Sequence, residues 1–218
     1  MGKEDKFKIK HLEVLSTAQK TVLKKLGPLM KQWHFYLGGG TAIAIYLGHR
    51  HSVDLDWFTE KGIGDPMRLA QDIRNQGITF VTGQIERGTL HGTISGIRVS
   101  FLEYRYPLLK PLVFKPQFTS QIASLEDLAC MKLSAIAQRG SKKDFVDLYA
   151  LGMKDIPLKN MVRFYKQKYS VEDVAHVIYG LSYFDDADKE RMPKMFWNTG
   201  WRTIKNTIQG WVREIGRV

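Results

Sequence analysis

Two aspartates, Asp54 and Asp56, lie in the run Val53-Asp54-Leu55-Asp56-Trp57-Phe58, which otherwise reads as a buried strand. Side chains alternate faces along a strand, so the two carboxylates point one way and Val53, Leu55 and Trp57 the other. Like charges held together repel unless a cation lies between them. An oxygen-preferring divalent ion, Mg2+ or Mn2+, meets that need. A solvated edge strand, where charge discourages aggregation, meets it equally well. Upstream, Gly38-Gly39-Gly40-Thr41 separates a short strand from a short helix. Glycine permits close backbone approach and positive φ, and a helix N-terminus favours phosphate. Alone, such a turn is also consistent with a tight connection. It fits neither the dinucleotide fingerprint nor the P-loop, since no Gly-Lys-Ser/Thr follows. The combination is more specific than either part. Gly39, Gly40 and Thr41 are expected to cradle a polyphosphate, and Asp54 and Asp56 to hold the metal that bridges it. Arg50 and Ser52, just before the strand, are expected to hold the loop or touch phosphate.

A second group lies further along. Lys132 falls on the apolar helical stripe of Leu125, Leu128, Ala129 and Ile136. Its ammonium either reaches solvent along its methylene stem or faces an anion. On the next helix Asp144 and Asp147 share a face. Asp144 suits the first turn, where an acid complements the dipole and shields the turn from Arg139 to Lys143. Asp147, among Phe145, Val146 and Leu148, is placed to orient Lys132 or an incoming hydroxyl.

The elements that must position these residues follow from periodicity. A helical stripe runs over 12–33, with a bend expected at Gly27-Pro28. Strands are predicted at 35–37, 53–58 and 78–85, with a hairpin around Ser95-Gly96. Short helices are predicted at 41–47, closed by Gly48, and from Asp65-Pro66 to about Gly77. Residues 107–116 read as a connector. Beyond it the pattern turns helical: a capping-box-like start at Ser124–Asp127, helices over 125–138 and 142–151, two more opened by Pro157 and by Ser170–Asp173, and a last one from about 200 to 215. The expected fold class is α/β (α+β), a small mixed sheet over 1–118 followed by a C-terminal helical lobe over 119–218.

Gly38–Thr41 and Arg50–Phe58 together resemble the glycine and Asp-x-Asp motifs of nucleotidyltransferases with the DNA polymerase β-like fold. With Lys132, Arg139, Asp144 and Asp147 the pattern is similar to the AbiEii/AbiGii toxin-type nucleotidyltransferases, over about residues 30 to 152. The resemblance implies an Mg2+- or Mn2+-dependent enzyme that moves NMP from an NTP to an acceptor hydroxyl. Asp54 and Asp56 would be its metal ligands, Lys132 would counter the triphosphate, and Asp147 would be a positioning group or general base. It further implies a bacterial toxin with an antitoxin encoded nearby. RNA, such as a tRNA 3′ end, is the first acceptor to consider. The chain departs from the polymerase β-like pattern in one place. Ser100 stands where a third carboxylate is usual, and Glu103 serves only if a bulge re-aims it. A nucleotide- or RNA-binding module without chemistry is therefore one alternative, and an enzyme that nucleotidylates a protein is another.

Composition limits the classes. The 218 residues carry a net charge of +11, which suits an anionic partner. The charge is spread, so no single basic arm carries it. One cysteine, Cys130, excludes an internal disulfide and reads as a core residue of a reducing compartment. No apolar run is long enough for a membrane helix, and the N-terminus lacks a signal core, so a cytoplasmic protein with no membrane partner is expected. His49, His51 and His91 lack zinc-ligand spacing. Trp197, Trp201 and Trp211 read as packing residues, with base stacking by any exposed member as the alternative.

Overall fold

The computed structural model describes residues 11–154 and 156–216. The chain forms two compact units. Among the described residues, one comprises 15–42 and 52–124; the other comprises 11–14, 43–51, 125–154 and 156–216.

The first unit is built on a seven-stranded mixed sheet. Its elements are α1 (Thr17–Gln32), β1 (Tyr36–Leu37), the opening of α2 (Gly39–Leu47), β2 (Leu55–Thr59), α3 (Pro66–Asn75), β3 (Phe80–Glu86), β4 (Thr89–Ile94), β5 (Ile97–Glu103), β6 (Val113–Lys115) and β7 (Ser120–Ile122). The strand order is β3-β4-β5-β2-β1-β7-β6. Strands β2 and β5 are parallel, as are β1 and β7, and the other pairs are antiparallel. Helix α1 starts with a reciprocal capping box: Gln19 N–H donates to Ser16 Oγ at 3.1 Å, and Ser16 N–H to Gln19 Oε1 at 2.9 Å. Its stripe of Val22, Leu23, Leu26, Leu29 and Met30 is buried. The expected interruption at Gly27-Pro28 does not end the helix. Pro28 and Lys24, one turn earlier, are both exposed, so water can serve the carbonyl that Pro28 leaves without a donor. Gly27 lets the helix approach a neighbouring loop: a Cβ there would lie 2.1 Å from the Phe118 carbonyl oxygen.

In β2, Leu55, Trp57 and Thr59 are buried and alternate with partly exposed Asp56 and Phe58. Val53 departs from the expected pattern. It lies one residue outside the alternation with Asp54, before the strand begins, and is 64% exposed. The hairpin at Ser95-Gly96 forms as expected, with both residues at positive φ (51° and 78°) joining β4 to β5. The connector contains β6, and β7 follows it. At three residues each, these strands are too short to show a period of two.

The second unit is helical: α4 (Leu125–Gln138), α5 (Lys142–Met153), α6 (Leu158–Tyr169), α7 (Ala175–Ser182), α8 (Asp185–Lys189) and α9 (Trp201–Ile215), with the rest of α2. Helix α4 is central and packs against α5, α6 and α7. Its Cys130 is buried, and burial pushes the thiol up to about 12, as befits an inert core residue. Asp127 was expected at a helix start. It lies there, in the first turn of α4, and its carboxylate also accepts from Lys168 of α6 at 2.7 Å, with both groups buried. In α9, Ile204 and Ile208 are buried, Trp201 packs edge-on against Phe145 and Phe184, and Trp211 stacks on Tyr149. The five-residue α8 was not foreseen. The fold class is the expected one, a mixed α/β protein with a helical C-terminal region.

Candidate functional site

In the sheet unit the glycine turn meets Asp56. Strand β1 ends at Leu37, and Gly38 N–H donates to the Asp56 carbonyl at 2.9 Å. The chain then turns into α2 through Gly39 at φ +62°. A Cβ on Gly39 would lie 2.7 Å from Asp56 Oδ2. Glycine is needed here twice, for the backbone angle and for the space the carboxylate occupies. Asp56 therefore sits against the first turn of a helix, where backbone N–H groups have no partner within the helix and the dipole is positive. Gly39 and Gly40 are partly exposed.

Thr41 and Ser52 lie below this surface. Thr41 Oγ1 is 2.7 Å from Ser52 Oγ and also donates to the Asp54 carbonyl. Gln19 of α1 donates to the Ser52 carbonyl at 2.9 Å. Both hydroxyl residues are buried. Their side chains brace the segment leading into Asp54, and Thr41 faces the turn only through its backbone.

Asp54 has a partner that the sequence did not reveal. Arg98 of β5 grips it in bidentate fashion, Nε to Oδ1 at 2.8 Å and Nη2 to Oδ2 at 3.1 Å. The arginine side chain is 70% exposed and the aspartate 22%. The parallel register of β2 and β5 explains the pairing. Leu55 is opposite Val99 and Asp56 opposite Ser100, so Asp54 and Arg98 are next in line. Ser100 occupies the place beside Asp56 where a third acid was sought. Glu103 does not replace it. The β2–β5 register runs without a bulge to Thr59 opposite Glu103. There Glu103 accepts from Arg105 and from Ile63 N–H, the latter at 3.2 Å, and holds the loop that follows β2. Among the described residues no group of three or more His, Cys, Asp or Glu side chains is arranged to hold a metal ion.

The helical unit carries a second cluster, buried and densely paired. Lys132 of α4 donates to Asp144 Oδ1 at 2.7 Å and lies 2.8 Å from Asp147 Oδ2, so two of its three donors go to carboxylates. Its ammonium does not reach solvent: the side chain is 6% exposed and both aspartates are fully buried. Asp144 also accepts from Arg139 Nε at 2.8 Å and Ser141 Oγ at 2.7 Å, which closes the turn into α5 as expected. Asp147 receives Arg50 in bidentate fashion, Nε at 2.6 Å and Nη2 at 2.8 Å, and His49 Nε2 at 2.7 Å. Segment 49–51 is itself pinned by Arg50 bridging to Met195, and by Phe196 N–H donating to the His49 carbonyl at 2.9 Å.

The electrostatics follow from this geometry. Burial alone would push the Asp147 carboxyl up, but the charges of Arg50 and Lys132, with hydrogen bonds from His49 and Arg50, hold it well below the usual range. Asp144 is likewise held down by Lys132 and Arg139 against the effect of burial. For Lys132, burial works against the charge, and the two aspartates more than offset it, so its pKa is raised. Burial lowers that of His49 despite Asp147. Asp147 is thus a permanent anion that fixes cations, and a carboxylate so held is a poor proton acceptor near neutral pH. His49, set aside in the sequence as a zinc ligand, belongs to this cluster. Its one sequence signal is its place just after the apolar run of α2.

Residues 30–109 and 95–210 match the family described as the nucleotidyl transferase AbiEii toxin of type IV TA systems. The chain is 41% identical over 179 residues to the uncharacterized protein aq_aa25 of Aquifex aeolicus (strain VF5), covering 81% of this chain and 86% of that one. Among solved structures it shares its fold with MenT4, a nucleotidyltransferase toxin of Mycobacterium tuberculosis H37Rv. The TM-score is 0.53 at 14% identity, over 89% of this chain and 82% of that one. The family match spans most of the chain and includes both clusters, so this protein belongs to the AbiEii family of nucleotidyl transferase toxins.

Proposed function

We propose that this chain transfers NMP from an NTP to a hydroxyl of RNA, with a tRNA 3′ end as the first acceptor to test, in a reaction that requires Mg2+ or Mn2+. In this reading it is the toxin of a bacterial cytoplasmic pair whose antitoxin is encoded nearby. One observation carries the proposal: the Asp56 carboxylate lies against Gly39 at the start of α2, where a Cβ would come within 2.7 Å of it. That arrangement puts a carboxylate oxygen, of the kind Mg2+ prefers, beside backbone N–H groups at a helix start, which suit phosphate.

The residues present fit the metal. Mg2+ is commonly bound by one or two carboxylates, with water and substrate phosphates completing its shell. Asp54 and Asp56 supply the two, so the absence of a three-residue protein cage among the described residues is no obstacle. When bound, the ion would neutralise the triphosphate and the leaving pyrophosphate. The turn at Gly39, Gly40 and Thr41 would orient the phosphates through its N–H groups. The acceptor oxygen would bond to the α-phosphorus as the bond to pyrophosphate breaks, its proton leaving to water. Asp147, Lys132 and Arg50 have a positioning part in this scheme, because their charges neutralise one another within the helical unit.

The exposed face of α1 supports an RNA acceptor. Lys20, Lys24, Lys25 and Lys31 are all exposed, and α1 contains no acid. The same helix holds the loop before Asp54 through Gln19. Among the described residues no acid is paired with these four, and such a row of lysines suits a phosphate backbone.

The test is incubation with each of the four labelled NTPs, Mg2+ and total bacterial RNA, beside a parallel lysate digested with RNase or protease. Label that enters RNA and pyrophosphate release are the expected result. Label that resists RNase and is lost to protease moves the acceptor to protein. Nucleotide binding without pyrophosphate from any acceptor makes the chain a binding module and overturns the proposal.

A further inference from the structure

Arg98 has no place in the scheme above, yet it is bonded to one of that scheme's two metal carboxylates. Its Nε and Nη2 occupy Oδ1 and Oδ2 of Asp54 at 2.8 and 3.1 Å, the paired geometry that a guanidinium forms best with a carboxylate. The contact is built into the sheet, since the β2–β5 register brings residue 98 level with residue 54. It is also free to reorganise. The arginine side chain is 70% exposed, and no other hydrogen bond or ion pair is found for its guanidinium among the described residues. The next residue on the same face, Ser100, is neutral where an acid would have drawn a further cation.

From these observations we infer that Arg98 is a placeholder cation: it neutralises Asp54 when no divalent ion is bound, competes with that ion, and releases Asp54 as the ion is taken up. This rests on the proposed metal role of Asp54 and Asp56. A carboxylate can accept several hydrogen bonds, so Arg98 need not block every lone pair. The competition is electrostatic as well, because a divalent ion approaching Asp54 would meet a permanent positive charge a few ångströms away until the guanidinium moves aside. The released guanidinium would remain on the open face of β5, where it can meet an anionic substrate. The pairing then has two consequences. It offsets the repulsion between Asp54 and Asp56 before an ion binds, and it makes the affinity for metal alone low, so that metal and nucleotide enter together.

The test uses the full chain and Mn2+ alone, read by the loss of free-ion signal in electron paramagnetic resonance, without nucleotide. Arg98→Gln should bind Mn2+ about tenfold more tightly than the wild type, equivalent to about 1.4 kcal/mol. Arg98→Lys, which keeps charge and loses the fork, should fall between them. Asp56→Asn should lose Mn2+ in either background. Unchanged or weaker Mn2+ binding in Arg98→Gln, with a wild-type melting curve, overturns the inference and leaves the metal site standing. Mn2+ binding that survives Asp54→Asn and Asp56→Asn together overturns the metal reading itself, and this inference with it.

Discussion

Replacing Lys132 with alanine separates two roles for one residue. If the ammonium serves a bound triphosphate, the variant folds normally and binds nucleotide poorly. The structure leads to a different expectation. Nζ lies 2.7 Å from Asp144 and 2.8 Å from Asp147, with both carboxylates fully buried. Removing the cation leaves two anions in the interior. Asp144 keeps Arg139 and Ser141, and Asp147 keeps Arg50 and His49, so the loss is not total. Breaking a buried ion pair by deleting one partner costs about 3–5 kcal/mol. For a chain of this length 1 kcal/mol moves Tm by about 2–4 °C, so a fall of about 6–20 °C is expected. The pH profile should shift too. The folded pKa values of Asp144 and Asp147 are depressed. Their contribution to stability is therefore present above the unfolded value, about 3.9, and is lost as pH falls through the folded values. Without Lys132 the folded values rise towards the unfolded one, so acid unfolding followed by circular dichroism should begin at higher pH. A variant that melts within about 2 °C of the wild type, with unchanged acid unfolding and a large loss of nucleotide affinity, would refute the buried-pair assignment and restore the phosphate role.

Four further outcomes are expected. Gly39→Ala should abolish transfer and cost about 1–2 kcal/mol in urea unfolding, since φ is +62° and the new methyl would collide with Asp56. Asp54→Ala or Asp56→Ala should also abolish transfer, and Asp54→Ala should change stability by less than about 1 kcal/mol, because Asp54 is partly exposed and its partner Arg98 is open to solvent. Stability followed between pH 8 and 5 should decline through the His49 equilibrium. Its folded pKa is lowered, so the neutral form favoured by folding is retained above the unfolded value near 6.5 and opposed by protonation below it; His49→Gln should flatten that decline. Replacing Lys20, Lys24 and Lys31 with glutamine should weaken RNA binding, measured by fluorescence anisotropy, and flatten the dependence of log affinity on log salt by about 0.7 for each phosphate no longer neutralised.

The local half of the candidate site was legible because its chemistry is written in adjacent residues. Three glycines before a helix and two aspartates on one strand face need only the period of two and the geometry of a helix start. The meeting of Arg98 with Asp54, by contrast, depends on β2 and β5 being neighbours. The chain visits α3, β3 and β4 between them, so no short-range pattern carries that fact. The helical cluster was half visible for the same reason. The faces bearing Lys132, Asp144 and Asp147 follow from a period of 3.6, whereas the donors that complete it, His49 and Arg50, are separated from Asp147 by 98 and 97 positions. Thr41 and Ser52 carried a different ambiguity. Hydroxyls beside a glycine turn suit phosphate in the abstract, and burial decided that theirs bind each other.

Two ways of neutralising a carboxylate coexist in this chain, and burial separates them. Asp147 and Asp144 are matched to cations inside the helical unit, where any exchange would strand a charge away from water. Such pairs are fixed, and they hold segment 49–50 and helices α4 and α5 in one arrangement. Asp54 is matched to an arginine at the surface, where exchange costs little because both partners can be hydrated. The proposed uptake of metal with each nucleotide would need the second kind of pair at Asp54. The first kind, for all its charge, suits a scaffold, and that is why Arg98 rather than Lys132 is the cation whose removal should change what the site binds.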